Sequence, residues 1–463
     1  MTKKLLFATI FIIVFSVYGC ADRDVGEPID ASTVDWQFFN ERAEEFIILM
    51  NEGNFSDAVA MFDRTMTRAL KEPALKKIWD DIIESTGNFV SFHKIENQVI
   101  DGYFICEVTS FHTDIGVTLR VVFDKDGLIA GYFNLGYSMI YIEDDSREII
   151  QREGFADYPV IVAEGTSYPL PGIMSIPDSA SETNKVPGVV IVHGSGPNDM
   201  DLTMGLNKPY RDIAEYLAAN GIAVIRYDKR TLYFGIEQIW TVYEETIEDA
   251  ILAANLLRSD PRIDENNIFI IGHSLGGMLA PRIHIEGGNF AGLILLAGSP
   301  RFLLDIIKDQ NITYINETME GEERDNTLLQ IEEFWDTQVN ELMNLSDDEA
   351  KKINMGNGET AYYYLDLYRN PISGFIEQTD VPFLVLQGAN DVQILPDVDF
   401  VLYQKLLANR LNVTFILYEK LNHLFMPGPK LPLLDILNNA YEVEGHVYTQ
   451  VLINITDWIH AHS

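Results

Sequence analysis

Two hydrophobic rhythms divide the chain. Over residues 35–133 apolar side chains first recur at helical spacing, as in Trp36, Phe39, Ala43, Phe46, Ile47 and Met50. Gly53 is expected to end that helix. A second is expected from near Ser56 with Val59, Met61 and Phe62, and a third along the stripe Leu75, Ile78, Trp79, Ile82 and Ile83, closed by Gly87. The pattern then shortens to strand-like runs at 89–95, 103–109, 117–123 and 128–133. Asp124-Lys125-Asp126-Gly127 supplies the hairpin turn between the last two. These elements predict a small α+β domain.

The stretch 138–155 reads as a charged connector. From Tyr158 onward short apolar runs alternate with helical patterns. Strands are expected at 160–163, 170–175, 188–192, 223–227, 268–271, 292–296, 383–387 and 413–418. Helices are expected at 210–219, 246–258, 275–285 and 441–461. Runs of this kind separated by helices predict a mostly parallel sheet covered on both faces, an α/β fold. One acidic insertion of helical pattern, with Leu328, Ile331, Phe334 and Trp335, interrupts the alternation and is expected to form a cap over about 301–375. Within it, Tyr362-Tyr363-Tyr364-Leu365 either lines a pocket or packs the cap on the body.

The chemistry concentrates where the strand at 268–271 breaks into Gly272-His273-Ser274-Leu275-Gly276. Strand, sharp turn, serine and helix make this pentad a nucleophile elbow, with the glycines leaving room for a turn that strains the serine backbone. A serine hydroxyl needs a base and a group to hold that base. Asp391 follows the strand at 383–387 in Gly388-Ala389-Asn390-Asp391 and is the expected acid; Asp397 and Asp399 fall in the next helix. His423, in Leu421-Asn422-His423, follows the strand at 413–418 and is the expected base. His446 is expected inside the terminal helix, and His460 and His462 in a frayed tail. The oxyanion requires two backbone donors. These are assigned to the amides of Leu275 and of Ser195, the latter in His193-Gly194-Ser195-Gly196-Pro197.

Composition narrows the partners. The 463 residues leave room for roughly two or three domains. Apolar content of 47% with 22% charged residues is that of a globular protein. A net charge of -37 argues against nucleic acid, whose phosphates would repel the chain. It also disfavours docking on anionic lipid through a basic patch. Lys3 and Lys4, an apolar run over 5–17 and Val17-Tyr18-Gly19-Cys20 have the layout of a secretory signal. The small residue before Cys20 resembles a bacterial lipobox, with Tyr18 bulkier than usual. It implies a lipidated Cys20 at the start of the mature chain, anchored to a bacterial membrane outside the cytoplasm. Cys106 is then a lone thiol, expected to be buried in a strand. The expected organisation is a signal peptide at 1–19, a tether at 20–34, the α+β domain at 35–140 and the catalytic domain at 141–463.

Two resemblances follow from these residues. The segment 35–140 resembles the NTF2-like domain of unknown function (DUF3887-like) that precedes hydrolase domains in some bacterial proteins; it holds no catalytic cluster, and His93 and His112 read as strand residues. The remainder resembles the α/β-hydrolase superfamily, in particular bacterial esterases grouped with the serine aminopeptidase S33-like hydrolases. The matching pieces are His193 to Pro197, Asn207-Lys208-Pro209, Arg226-Tyr227-Asp228-Lys229-Arg230, Gly272 to Gly277, Gly388 to Asp391 and Leu421-Asn422-His423. The resemblance implies a triad of Ser274, Asp391 and His423, the oxyanion donors Ser195 and Leu275, no cofactor, no metal, and cleavage of small esters with short acyl chains. Asp228, Lys229 and Arg230 read as a structural ion-pair cluster near the sheet edge. Two other functions fit the same residues. One is a peptidase or amidase that would use acidic residues of the cap, such as Glu332 and Glu333, to hold a free amine. The other is a surface binding protein carrying a vestigial hydrolase. The sequence sets no oligomeric state.

Overall fold

A computed structural model describes residues 34–100, 102–112, 116–138, 149–234, 241–355, 359–435 and 443–463. The leader, Cys20 and the tether, Val34 apart, lie outside the described residues. The rest falls into two compact units, one within Ser16–Asp144 and one within Asp145–Ser463.

The smaller unit packs helices α1 (Trp36–Asn51), α2 (Phe55–Ala60), α3 (Arg64–Ala69) and α4 (Glu72–Thr86) with four antiparallel strands in the order β1-β2-β3-β4. The strands are β1 (Phe89–Ile100), β2 (Tyr103–His112), β3 (Gly116–Phe123) and β4 (Ile129–Ser138). The expected apolar stripe of α1 is the buried face, with Phe39 stacked on Phe104 of β2 at 4.4 Å. Gly53 and Gly87 follow α1 and α4 in left-handed conformations, φ 78° and 75°, that a side chain would oppose. Asp124 accepts from the amides of Asp126 and Leu128, each at 2.9 Å, and so builds the hairpin turn. Helix α3 was not expected, because its short polar sequence carries no stripe. Its signal is the cap, Asp63 accepting the Met66 amide at 2.6 Å. Cys106 is fully buried on β2, and burial pushes its thiol up to about 12. His93 is exposed on β1. His112 is buried on β2 against Thr86 and Gly87.

The larger unit is a nine-stranded sheet in the order β13-β12-β11-β10-β8-β9-β7-β6-β5. Its strands are β5 (Ile150–Gln151), β6 (Phe155–Val162), β7 (Leu170–Pro177), β8 (Val186–Val192), β9 (Ala223–Tyr227), β10 (Ile263–His273), β11 (Gly292–Leu296), β12 (Phe383–Gly388) and β13 (Val413–Tyr418). Strands β8 to β13 run parallel and β5 to β7 antiparallel. All eight expected strands form; β5 is added within the stretch read as a connector. The chain continues through α5 (Pro209–Ala219), α6 (Arg230–Phe234), α7 (Glu248–Ser259) and α8 (Leu275–Ile283). The insertion between β11 and β12 is helical as expected: α9 (Leu303–Thr318), α10 (Gly321–Met343), α11 (Asp347–Ala350), α12 (Ala361–Arg369) and α13 (Ile372–Gln378). After it come α14 (Val401–Leu406), α15 (Leu433–Asp435) and α16 (Thr449–His462). Apolar residues fill both sides of the sheet, Val190, Ile270 and Leu295 on one and Val189, Phe269 and Ile271 on the other. That alternation along strands buried on both faces is why no polar period interrupts them.

Two expectations are corrected. The terminal helix starts at Thr449, so His446 lies before it, bonded to Asp212 at 3.1 Å, while His460 and His462 lie inside it. The ion-pair cluster of Asp228, Lys229 and Arg230 is not at a sheet edge, because β9 runs between β8 and β7. Of the two alternatives for Tyr363 and Tyr364, packing is the one observed: both are fully buried with their hydroxyls on Glu245 and Glu359.

The insertion is pinned by a buried charge. Asp399, fully buried, accepts from Arg301 Nε at 2.7 Å, Ser299 Oγ at 2.6 Å and the Leu395 amide at 2.9 Å. Arg301 also reaches Asp309 on α9 at 2.6 Å. Deleting the guanidinium strands a carboxylate in the core. Arg301→Ala is therefore expected to lower the stability of this unit by roughly 3–5 kcal/mol, read as the urea midpoint.

Candidate active site

Strand β10 ends at His273 and α8 starts at Leu275, so Ser274 alone makes the turn. Its backbone sits at φ 55° and ψ −115°, a region that costs an L-residue on the order of 1–3 kcal/mol. The flanking glycines are required by approach. A Cβ on Gly272 would lie 2.2 Å from the Gly276 carbonyl oxygen, and one on Gly276 would lie 2.4 Å from that of Val192. The strain is held by a bond from the Ser274 amide to Leu296 O on β11 at 2.9 Å. Leu275 is the first residue of α8, so its amide has no intrahelical acceptor and is available at the positive end of the helix.

Asp391 and His423 meet. His423 Nδ1 lies 2.7 Å from Asp391 Oδ2, with the aspartate fully buried and the histidine nearly so. Asp391 is fixed on every side: Oδ1 accepts from the amides of Gln393 at 2.8 Å and Ile394 at 3.1 Å, and Oδ2 also accepts from Gln387 Nε2 at 2.9 Å. The loops carrying the pair are stitched by backbone, Asn390 N to Leu421 O at 3.0 Å and Ala389 N to Tyr418 O at 2.8 Å. Gly388 lets them touch, since a Cβ there would lie 2.3 Å from Leu421 O. The two remaining acid candidates stand elsewhere: Asp397 is exposed, and Asp399 serves Arg301. No hydrogen bond joins Ser274 Oγ to the His423 ring among the described residues. Such bonds are commonly loose before substrate binds.

The loop of Ser195 passes directly against Ser274, a Cβ on Gly194 falling 3.1 Å from Ser274 Cβ. It is tied to the His423 loop by a directed chain of hydrogen bonds. His423 O can only accept, so His273 Nε2, 2.9 Å away, carries the proton. Burial holds the His273 imidazole neutral, pushing it down to about 3. Its Nδ1 is then an acceptor and takes the Tyr210 hydroxyl at 3.2 Å, leaving the tyrosine oxygen to accept the Gly194 amide at 3.3 Å. His193 is buried between the rings of Tyr210 and Tyr227, where burial and then the Lys229 charge push it down to about 3. Of the cluster after β9, Lys229 pairs with Glu245 and Arg230 with Asp249 at 2.5 Å. Asp228 takes the Tyr233 hydroxyl and the Met200 amide, and burial pushes its carboxyl up to about 7. Glu332 and Glu333, the residues considered for an amine clamp, are exposed on α10.

Gln387, Gly388, Tyr210 and His273 were not singled out for these tasks by sequence reasoning. Gln387 gives a usable signal, a polar residue closing an otherwise apolar run four positions before Asp391. Tyr210 gives none, because a tyrosine on an amphipathic helix reads as core.

A mostly parallel sheet, a strained serine between strand and helix, and a buried aspartate–histidine pair from later strands give the larger unit the α/β-hydrolase fold. Residues 189–308 match the family model described as serine aminopeptidase, S33, and residues 43–132 match that of a protein of unknown function, DUF3887. The chain is 29% identical over 424 residues to esterase EstD of Thermotoga maritima, covering 91% of this chain and 95% of that one. Among solved structures, Est1E from Butyrivibrio proteoclasticus aligns with TM-score 0.41 at 14% identity, over 66% of this chain and 98% of its own. The Pyrococcus furiosus esterase PF2001 aligns with TM-score 0.40 at 13% identity, over 66% and 91%.

The two buried imidazoles carry a pH signature. Both ionise near 6.5 in the unfolded chain but only near 3 in the fold. Their contribution to stability is thus complete above about pH 6.5 and is lost as pH falls toward 3. Urea midpoints followed from pH 7 to pH 4 are expected to fall, and His273→Gln is expected to flatten that decline.

Proposed function

We propose that the chain is a serine hydrolase that cleaves carboxylic esters with short acyl chains through Ser274, His423 and Asp391. His423 takes the Ser274 proton as Oγ attacks the ester carbonyl. The amides of Leu275 and Ser195 receive the negative oxygen of the tetrahedral intermediate. The intermediate collapses, the alcohol leaves with the proton from His423, and an acyl group remains on Ser274. Water, deprotonated by the same imidazole, then releases the acid. Asp391 holds the ring with Nδ1 protonated and balances the imidazolium. The observation carrying this reading is the 2.7 Å bond between His423 and the fully buried Asp391, set beside a serine whose backbone is strained at a strand end. The similarity to a protein named an esterase over 91% of this chain supports the choice of ester.

The test is a panel of nitrophenyl esters of increasing acyl length beside an aminoacyl anilide. Acetyl and butyryl esters are expected to turn over fastest. Ser274→Ala is expected to lose roughly a thousandfold or more in kcat. Faster cleavage of the anilide would instead favour an aminopeptidase, as the matched S33 description invites. Failure of a fluorophosphonate to label Ser274 would favour a binding protein with a silent site.

In the same reading Cys20 carries lipid that anchors the enzyme to a bacterial membrane outside the cytoplasm. Support comes from the signal layout of residues 1–20. Labelled palmitate is expected to enter the native chain and not Cys20→Ala, which should fractionate as soluble protein.

A further inference from the structure

Lys229 is buried, 2% exposed, and its ammonium has two partners. One is the Glu245 carboxylate; the other is the carbonyl oxygen of Gly194 at 2.8 Å. That carbonyl belongs to the same peptide unit as the Ser195 amide. In a trans peptide the C=O and N–H point in opposite directions and share one conjugated system. An ammonium on the oxygen therefore does two things to the far side of the unit. It fixes the plane, so the N–H faces away from Lys229. It also withdraws electron density through the amide, making that proton a stronger donor. The Ser195 amide has no acceptor of its own among the described residues, and Gly194 lies against the Ser274 side chain.

We infer that Lys229 is a positioning residue for the reaction: it orients and polarises the Gly194–Ser195 peptide so that the Ser195 N–H stabilises the oxyanion. This rests on the esterase reading above. Simple loop support does not require the charge. The same loop is already closed by Asn198 Nδ2 on Ser195 O at 3.0 Å and on Gly196 O at 3.2 Å, by the Lys229 amide on Asn198 O at 3.0 Å and by Tyr210 on Gly194. The ammonium is in turn set from the insertion, because Glu245 also accepts the hydroxyl of Tyr363 on α12. Movement of α12 relative to Glu245 would change how strongly the carboxylate competes with Gly194 for the lysine. The insertion thereby gains a route to the oxyanion donor that involves no contact with substrate.

The decisive variant is Lys229→Met combined with Glu245→Gln, which removes both buried charges together and leaves neither stranded. With nitrophenyl acetate its kcat is expected to fall roughly 10- to 100-fold, part of the loss seen when an oxyanion donor is deleted, while KM stays within about twofold. Affinity for a methyl trifluoromethyl ketone, whose hemiketal oxyanion mimics the intermediate, should fall by the same factor. Lys229→Arg should restore part of both. A double variant with native near-UV circular dichroism and undiminished kcat and ketone affinity overturns the inference, as does a loss confined to KM. Should that variant not fold, Tyr363→Phe decides: it keeps every charge, frees Glu245 to draw on the ammonium, and is expected to lower kcat severalfold at constant KM. Wild-type kcat in Tyr363→Phe would then overturn the inference. Absence of ester cleavage by the native protein would instead remove the esterase reading itself.

Discussion

Backbone runs against backbone around Ser274, and that contact constrains everything near it. The turn between β10 and α8 is so tight that Gly272 and Gly276 have no room for a Cβ, the gap to the facing carbonyl being 2.2 Å for the first. Ser274 takes the strain because His273 still belongs to β10 and Leu275 already to α8, and its amide is tied across to β11 to hold it there. A hydroxyl standing at a strand end, with a free helix amide beside it, follows from this one steric condition. The surrounding sheet supplies the force: strands buried on both faces leave the turn no freedom to relax.

The same solution recurs two strands along the sheet. Gly388 ends β12 where the loop of Leu421 and Asn422 passes 2.3 Å from its would-be Cβ, and the Asp391 loop and the His423 loop share hydrogen bonds. Asp391 and His423 are thus placed by main chain before their side chains meet. Four donors on one buried carboxylate leave it a single orientation, and the ring it holds inherits that orientation.

How much of this could be read in advance depends on range. The strands were legible because a strand buried on both faces is written as an uninterrupted apolar run, as at Ile268 to Ile271. The elbow was legible because sterics force glycine at fixed offsets from the serine. Asp391 and His423 could be chosen because each follows a recognisable strand. What escaped were relations between distant segments. Tyr210 to His273 and Lys229 to Gly194 are contacts that no local period encodes. Boundaries also slipped at helix starts. Asp63 starts α3 without an apolar stripe, and the terminal helix begins only at Thr449 although its apolar pattern extends further back.

The neutrality of His273 shows how these long-range contacts serve the chemistry. Its ring centroid lies 4.7 Å from that of His423. If His423 takes the serine proton as proposed, a second positive imidazole at that distance would oppose the step by about 3–4 kcal/mol at an effective dielectric near 20. Burial prevents it, pushing the His273 imidazolium down to about 3 and so holding the ring neutral. The ring is still useful, since its one proton fastens the carbonyl of His423 and its lone pair takes Tyr210. A charged side chain at this position would supply the same bond to His423 O but raise the barrier. An apolar one would avoid the repulsion but release the loop. A buried neutral histidine meets both demands, which gives the residue before Ser274 a task distinct from forming the turn.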